Sequence, residues 1–143
     1  MITFWEYLAL TQKNRAMWVM PEFEKEKNEL VRQANELNLD KEKMFDAFHN
    51  GKLVDLDPQV WSKMQNTESN HPDLSWEIVR AFPKDVDIII KGLQEGHALP
   101  APIVLKYKGN YWCVAGNTRL SISKLMNITP KVWMITYGDD FFK

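Results

Sequence analysis

The chain has 143 residues, enough for one compact domain or a small domain with a helical extension. Hydrophobic residues make up 45%, an ordinary share for a globular core, and a single cysteine excludes an internal disulfide and a cysteine-built zinc site. The net charge of −1 gives no global attraction to nucleic acid, and no run is long and apolar enough to span a membrane. Met1 to Glu6 carries no basic region ahead of an apolar stretch, so no secretory signal is expected and a reducing cytoplasm is the expected compartment. Charge is unevenly placed: from His97 onward the balance is +4, and the preceding part carries −5.

In chain order, Thr3 and Glu6 match a capping box, and the segment to Val19 reads as a first helix with Trp5 and Leu8 on its apolar face. Met20-Pro21 breaks it. Pro21 suits the first turn of a second helix, with Glu22, Glu24 and Glu26 near its positive end. Phe23, Leu30, Val31, Ala34 and Leu37 form its stripe, and the charges from Glu22 to Arg32 read as a solvated face. Glu26 and Glu29 are carboxylates without a histidine at metal-ligand spacing. Asp40 caps a third helix ending at Asn50-Gly51, with Met44, Phe45 and Phe48 inward and His49 favourably placed against the helix dipole. Asp57-Pro58 reads as cap and first position of a fourth helix through Gln65, with Val60, Trp61 and Met64 as its apolar face.

Asn66 to Pro72 is the most polar stretch and reads as a boundary or a mobile loop, with His71 as a loop residue. Asp73 to Phe82 reads as a helix capped by Asp73 or Ser75, with a strand as the alternative because its apolar positions alternate, and Pro83 ends it. Lys84 or Asp85 opens another, with Val86, Ile89, Ile90 and Leu93 inward and Gly96 at its end. Ile103 to Lys106 reads as a strand, and Gly109-Asn110 as a two-residue hairpin turn flanked by Lys106 and Lys108. Tyr111 to Ala115 is a second strand. Gly116 breaks it, and Asn117 or Thr118 can cap the helix that carries Ile122, Leu125 and Met126. Asn127 ends that helix, Pro130 blocks its continuation, and Lys131 to Thr136 reads as a strand. In the tail, Asp139 and Asp140 are either a solvated end or ligands for a metal that accompanies phosphates. Phe141 and Phe142 either fold back or dock a second copy to give a homodimer.

Gly116-Asn117-Thr118-Arg119 is the candidate site. A helix start offers free N–H donors and partial positive charge. Glycine permits close approach to the backbone, and Arg119 adds a fork of donors suited to phosphate or carboxylate. Together they make an anion site; the alternative is a capped helix whose arginine forms a surface ion pair.

The order helix, Leu99-Pro100-Ala101-Pro102-Ile103-Val104-Leu105, hairpin, Val114-Ala115-Gly116-Asn117-Thr118-Arg119-Leu120, helix, Ile128-Thr129-Pro130-Lys131-Val132 resembles the ParB N-terminal domain. That superfamily also includes sulfiredoxin and the ParB-like free serine kinases. The resemblance covers the C-terminal half only. It implies an α+β (α/β-like) fold, with a helical N-terminal region (1–70) packed on a small mixed β-sheet of ParB/sulfiredoxin type (71–143). It also implies that Gly116, Asn117, Thr118 and Arg119 hold nucleotide phosphates, with Mg²⁺ accompanying the nucleotide. Where ParB proteins have Glu-Arg-Arg after the glycine, this chain has Asn117-Thr118-Arg119, so ParB-type CTP hydrolysis is not what the box implies. Asn117 stands where sulfiredoxins carry their reactive cysteine. A Gly-His-Thr-Arg-like box, as in the serine kinases, is the nearer match. Ala101 replaces a polar side chain that the family often has before its Pro-Ile pair.

Three functions follow as expectations. The first is a nucleotide-binding protein, either a phosphotransferase or an NTPase; His97 is its nearest proton acceptor in chain order, with a polar loop residue as the alternative reading. The second is a DNA-associated adaptor or nuclease-like protein of a phage or mobile element, brought to DNA through a partner protein. The third is a non-catalytic protein-binding module using the acidic, aromatic-rich first half.

Overall fold

The computed structural model describes Thr3, residues 17–82 and residues 86–138. The elements begin with β1 (Met17–Val19), α1 (Phe23–Glu36), α2 (Lys41–His49), β2 (Lys52–Asp55), α3 (Pro58–Lys63) and β3 (Met64–Gln65). A 3-10 turn at Glu68–Asn70 leads to α4 (Trp76–Arg80), α5 (Val86–Glu95), β4 (Ala98–Pro100), β5 (Ile103–Tyr107), β6 (Asn110–Ala115), α6 (Asn117–Leu125) and β7 (Lys131–Thr136).

Ile103, Val104 and Leu105 are all fully buried, as a strand covered on both faces requires. Their strand, β5, is the middle of a five-stranded sheet of order β2-β7-β5-β6-β3. The sheet is mixed. β5 and β6 form an antiparallel hairpin, β7 runs parallel to β5, β2 antiparallel to β7, and β3 parallel to β6. Alternation along β5 sends Ile103 and Leu105 to the larger core with Leu30, Phe48 and Leu93. Val104 goes to a second core with Leu56, Trp61, Leu120 and Val132. The chain is therefore α+β, with apolar layers on both faces of the sheet.

Local chemistry explains the starts of α2, α3 and α4. Asp40 accepts from Lys43 N at 3.1 Å and Asp57 from Gln59 N at 2.7 Å with Pro58 behind it. Ser75 accepts from Ile78 N at 3.2 Å. Asn127 takes the left-handed conformation expected at the end of α6, with φ 56°.

Several expectations are corrected. Met17–Val19 is a strand, pairing in parallel with β4 at Ala98–Pro100; the rest of the expected first helix, apart from Thr3, lies outside the described residues. The second helix starts at Phe23, with Pro21 two positions before it. The fourth stops at Lys63, because Met64 and Gln65 leave the helix to pair with Tyr111 and Trp112. The hairpin turn falls on Lys108-Gly109, where φ is 51° and 76° and Tyr107 faces Asn110; a primed turn needs positive φ at both central residues. The sheet is not built from the second half alone, since β2 and β3 form its edges. Pro83, Lys84, Asp85 and the tail residues Asp139, Asp140, Phe141 and Phe142 lie outside the described residues. Among the described residues no helix is long and apolar enough to cross a membrane.

The first half is fastened to the sheet through Trp133, whose indole N–H donates to the Phe48 carbonyl at 2.9 Å. Gly51 makes room for that ring: a Cβ there would stand 2.4 Å from Trp133 Nε1. Gly51→Ala should therefore destabilise the fold by about 1–3 kcal/mol through overpacking, read as a lowered denaturant midpoint at unchanged slope.

Candidate functional site

The site begins where β6 gives way to α6. Gly116 turns the chain at φ 92° and ψ 21° and occupies the N-cap position. A Cβ there would meet Cα and Cβ of Pro102 at 2.7 Å. The close approach brings the Pro102-Ile103-Val104 segment and the Gly116–Leu120 segment into direct contact. Leu120 N donates to Gly116 O at 2.9 Å and starts the helix. Among the described residues no acceptor takes the backbone N–H of Asn117, Thr118 or Arg119. These are the free donors of a helix start.

Arg119 is half-buried and donates from Nη1 to the Pro100 carbonyl. Burial pushes its guanidinium below the usual arginine range, and the charge of Glu26 on α1 works against that shift. An arginine remains a cation at neutral pH in any case. Glu26 is itself half-buried, whereas Lys25 and Lys27 on either side of it are exposed.

Asn117 does not cap α6. Its Oδ1 turns outward and accepts from Thr67 Oγ1 and from Glu68 N, both at 2.9 Å. The polar stretch expected as a boundary or mobile loop is thereby docked on the candidate site. Asn66, held at φ 53°, accepts from Cys113 N at 2.8 Å and donates to Cys113 O at 3.0 Å. Its side chain thus replaces a neighbouring strand where β3 has ended. Trp61 Nε1 donates to Ser69 Oγ at 2.9 Å, and Asn70 donates to the Trp61 carbonyl at 2.7 Å. Asn66, Thr67, Glu68, Asn70, His71 and Pro72 line an open depression of about 510 Å³ beside Asn117.

Gly116, Asn117, Thr118 and Arg119 are gathered at one point, with Thr118 buried. His97 lies on the connection between α5 and β4, its Nε2 3.1 Å from Glu95 Oε2. His71 faces its own loop, its Nδ1 accepting from Asp73 N at 3.1 Å. Cys113 is buried against Val104 and Leu120, and burial pushes its thiol from 9.0 up to about 12. It is therefore an inert core thiol, because the thiolate is the reactive form. Among the described residues no group of three or more His, Cys, Asp and Glu side chains could hold a metal. Sequence reasoning missed Asn66. The only signal for Asn66 was an asparagine, the residue most tolerant of positive φ after glycine, immediately behind an apolar helix.

No family model matches the chain, and neither the curated proteins nor the solved structures provide a match.

Asn66→Ala should lower stability by roughly 1–3 kcal/mol, since Cys113 loses partners for both its backbone groups; chemical unfolding measures it. Cys113 gives a pH signature. Its folded value lies above its unfolded one, so its contribution is complete below pH 9.0 and is lost as pH rises toward about 12. Cys113→Ala should flatten the fall in stability over that alkaline window, and native protein at pH 8 should resist alkylation until it unfolds.

Proposed function

We propose that the chain binds a nucleotide through its phosphates at Gly116–Arg119, in a fold of ParB/sulfiredoxin type. The observation that carries this reading is the set of backbone N–H groups on Asn117, Thr118 and Arg119 that no acceptor among the described residues takes, beside the half-buried Arg119 guanidinium. Oriented amides and a positive helix end favour an anion. Gly116 leaves the backbone open to close approach. The chain order β5–β6 hairpin, Gly116, α6, β7 is the order on which the resemblance is drawn.

Glu26 bears on what the ligand must be. A carboxylate close enough to act on Arg119 also repels bare phosphates. A nucleotide carrying Mg²⁺ meets both groups without that repulsion, and the cation also neutralises charge at the phosphates during any transfer of a phosphoryl group. Asn117 contributes through its backbone, because its side-chain oxygen is committed to the loop. His97 has no part in this reading.

The test is thermal unfolding with ATP, CTP, GTP and their diphosphates, with and without Mg²⁺, on wild type and Arg119→Ala. At about a hundredfold above Kd a ligand adds about 2.7 kcal/mol, a shift of several degrees. The shift should vanish in Arg119→Ala when each protein is compared with its own unliganded midpoint. No shift with any nucleotide would sink the reading and leave Gly116–Arg119 as a structural clamp onto Pro100 and Pro102. Glu26→Gln should tighten Mg²⁺-free binding by about tenfold, equivalent to ~1.4 kcal/mol, and narrow the gap between Mg²⁺-loaded and Mg²⁺-free ligand in calorimetric titration.

A further inference from the structure

The two faces of the five-stranded sheet are covered unequally. On the first, Ile103, Leu105, Trp133 and Ile135 are all buried in the larger core. On the second, Leu56, Trp61 and Leu120 pack with Val104, Cys113 and Val132. Strand alternation carries that second face further, to Lys106, Tyr111, Met134 and Thr136. Lys52 on β2 stands opposite Met134, and Lys106 stands between Tyr111 and Thr136. Lys52 is exposed and the other four are half-buried, so this end of the face is open.

The open end is basic. Asp55 is the only carboxylate on the five strands. Alternation turns it to the first face, where Lys131 Nζ donates to it at 3.0 Å. Among the described residues neither Lys52 nor Lys106 has a carboxylate partner. Their Cα atoms lie roughly 12 Å apart, two strands across and one pleat along. Lys106 belongs to the central strand, whose backbone is paired on both sides. A partner therefore reaches it only across the face, through side chains and rings, and cannot add a strand there. Met134 lies on the strand between the two lysines and Tyr111 on the strand beyond Lys106. A polyanion carrying flat rings meets both chemistries, its phosphates on the ammonium groups and its bases on the tyrosine ring. An acidic peptide answers the lysines alone.

We propose that the open end of the second sheet face binds single-stranded nucleic acid, with Lys52 and Lys106 on phosphates and a base stacked on Tyr111. A duplex keeps its bases stacked inside and offers this surface its phosphates only. The surface lies at the opposite end of β6 from Gly116–Arg119 and does not rest on the nucleotide reading.

The experiment is fluorescence anisotropy over a range of salt, with labelled oligo-dT and oligo-U of about 20 nucleotides, longer than one single-strand site. Duplex of the same length and a poly-glutamate peptide are the comparisons. Wild type should bind the single strands more tightly than either. Lys52→Gln combined with Lys106→Gln should weaken that binding by about tenfold and reduce the salt slope by about 1.4, two phosphates at roughly 0.7 each. Tyr111→Leu, which keeps apolar cover on the second core, should weaken it by about tenfold at unchanged salt slope, and Tyr111→Phe should not. Lys25→Gln on α1, whose partner is Glu22, should bind as wild type does, and so should Arg119→Ala. Both lysines extend from the surface, so the double variant should keep the wild-type unfolding midpoint and decides the matter even where Tyr111→Leu fails to fold. The proposal is overturned if wild type binds no single strand at low salt, binds duplex as tightly, or prefers poly-glutamate; the last result would make the face a site for acidic peptides. Full binding by the double lysine variant also overturns it, and a loss confined to Arg119→Ala would move the polyanion to the start of α6.

Discussion

Contact between Gly116 and Pro102 is the constraint on which the rest of the candidate site depends. At 2.7 Å from an imagined Cβ, with φ at 92°, the position admits only glycine. The contact joins the start of β5 to the end of β6 and sets the direction in which α6 leaves the sheet. Because α6 then returns as β7 beside β5, one tight approach fixes the central strand, the crossover helix and the free amides at its start. The Arg119 bond to the Pro100 carbonyl reinforces the same junction from the other side.

The junction is also held from outside the sheet, by the first half of the chain. Asn66 continues the edge of β6 where β3 stops after two residues, and Asn117 is drawn outward to Thr67 and Glu68. The first turn of α6 is therefore braced on one side by a loop and on the other by β4 and β5. Donors fixed before a ligand arrives lose little freedom on binding, which is how preorganisation raises affinity. The bracing also explains why Asn117 is no cap: its side chain holds the loop, and the helix start keeps its donors unpaired among the described residues.

Much of this was legible in the sequence where one local rule decides the outcome. Asp40, Asp57 and Ser75 cap as their chemistry predicts, Asn127 takes positive φ, and Gly116 ends β6. The α+β class is what the resemblance of the C-terminal half implied, and the mixed sheet with helices bears out that class. Illegible features were those settled by distant partners. Lys52–Asp55 becomes a strand only because β7 lies beside it, and Met17–Val19 only because β4 does. Asn66 to Asn70 has the composition of a free loop, and nothing local says that Cys113, Asn117 and Trp61 will take its side chains. Lys108 in a positive-φ turn position is a case where register, set by the paired strands, outweighed the preference for glycine or asparagine.

Arg119 has to serve two masters at this junction, and its chemistry is suited to that. A guanidinium presents five donors in a rigid plane, so the bond from Nη1 to Pro100 orients the group without exhausting it. A lysine in its place would gather its donors on one rotating point, and a tether to Pro100 would no longer fix the direction of the remaining donors. Burial raises the stakes, because a half-buried cation needs every favourable partner that the site can offer. Glu26 supplies part of that compensation from α1. The backbone amides of α6 cannot, being donors themselves. With backbone amides and guanidinium all presenting N–H groups, the unmet demand at the start of α6 is for acceptors, which an anion supplies.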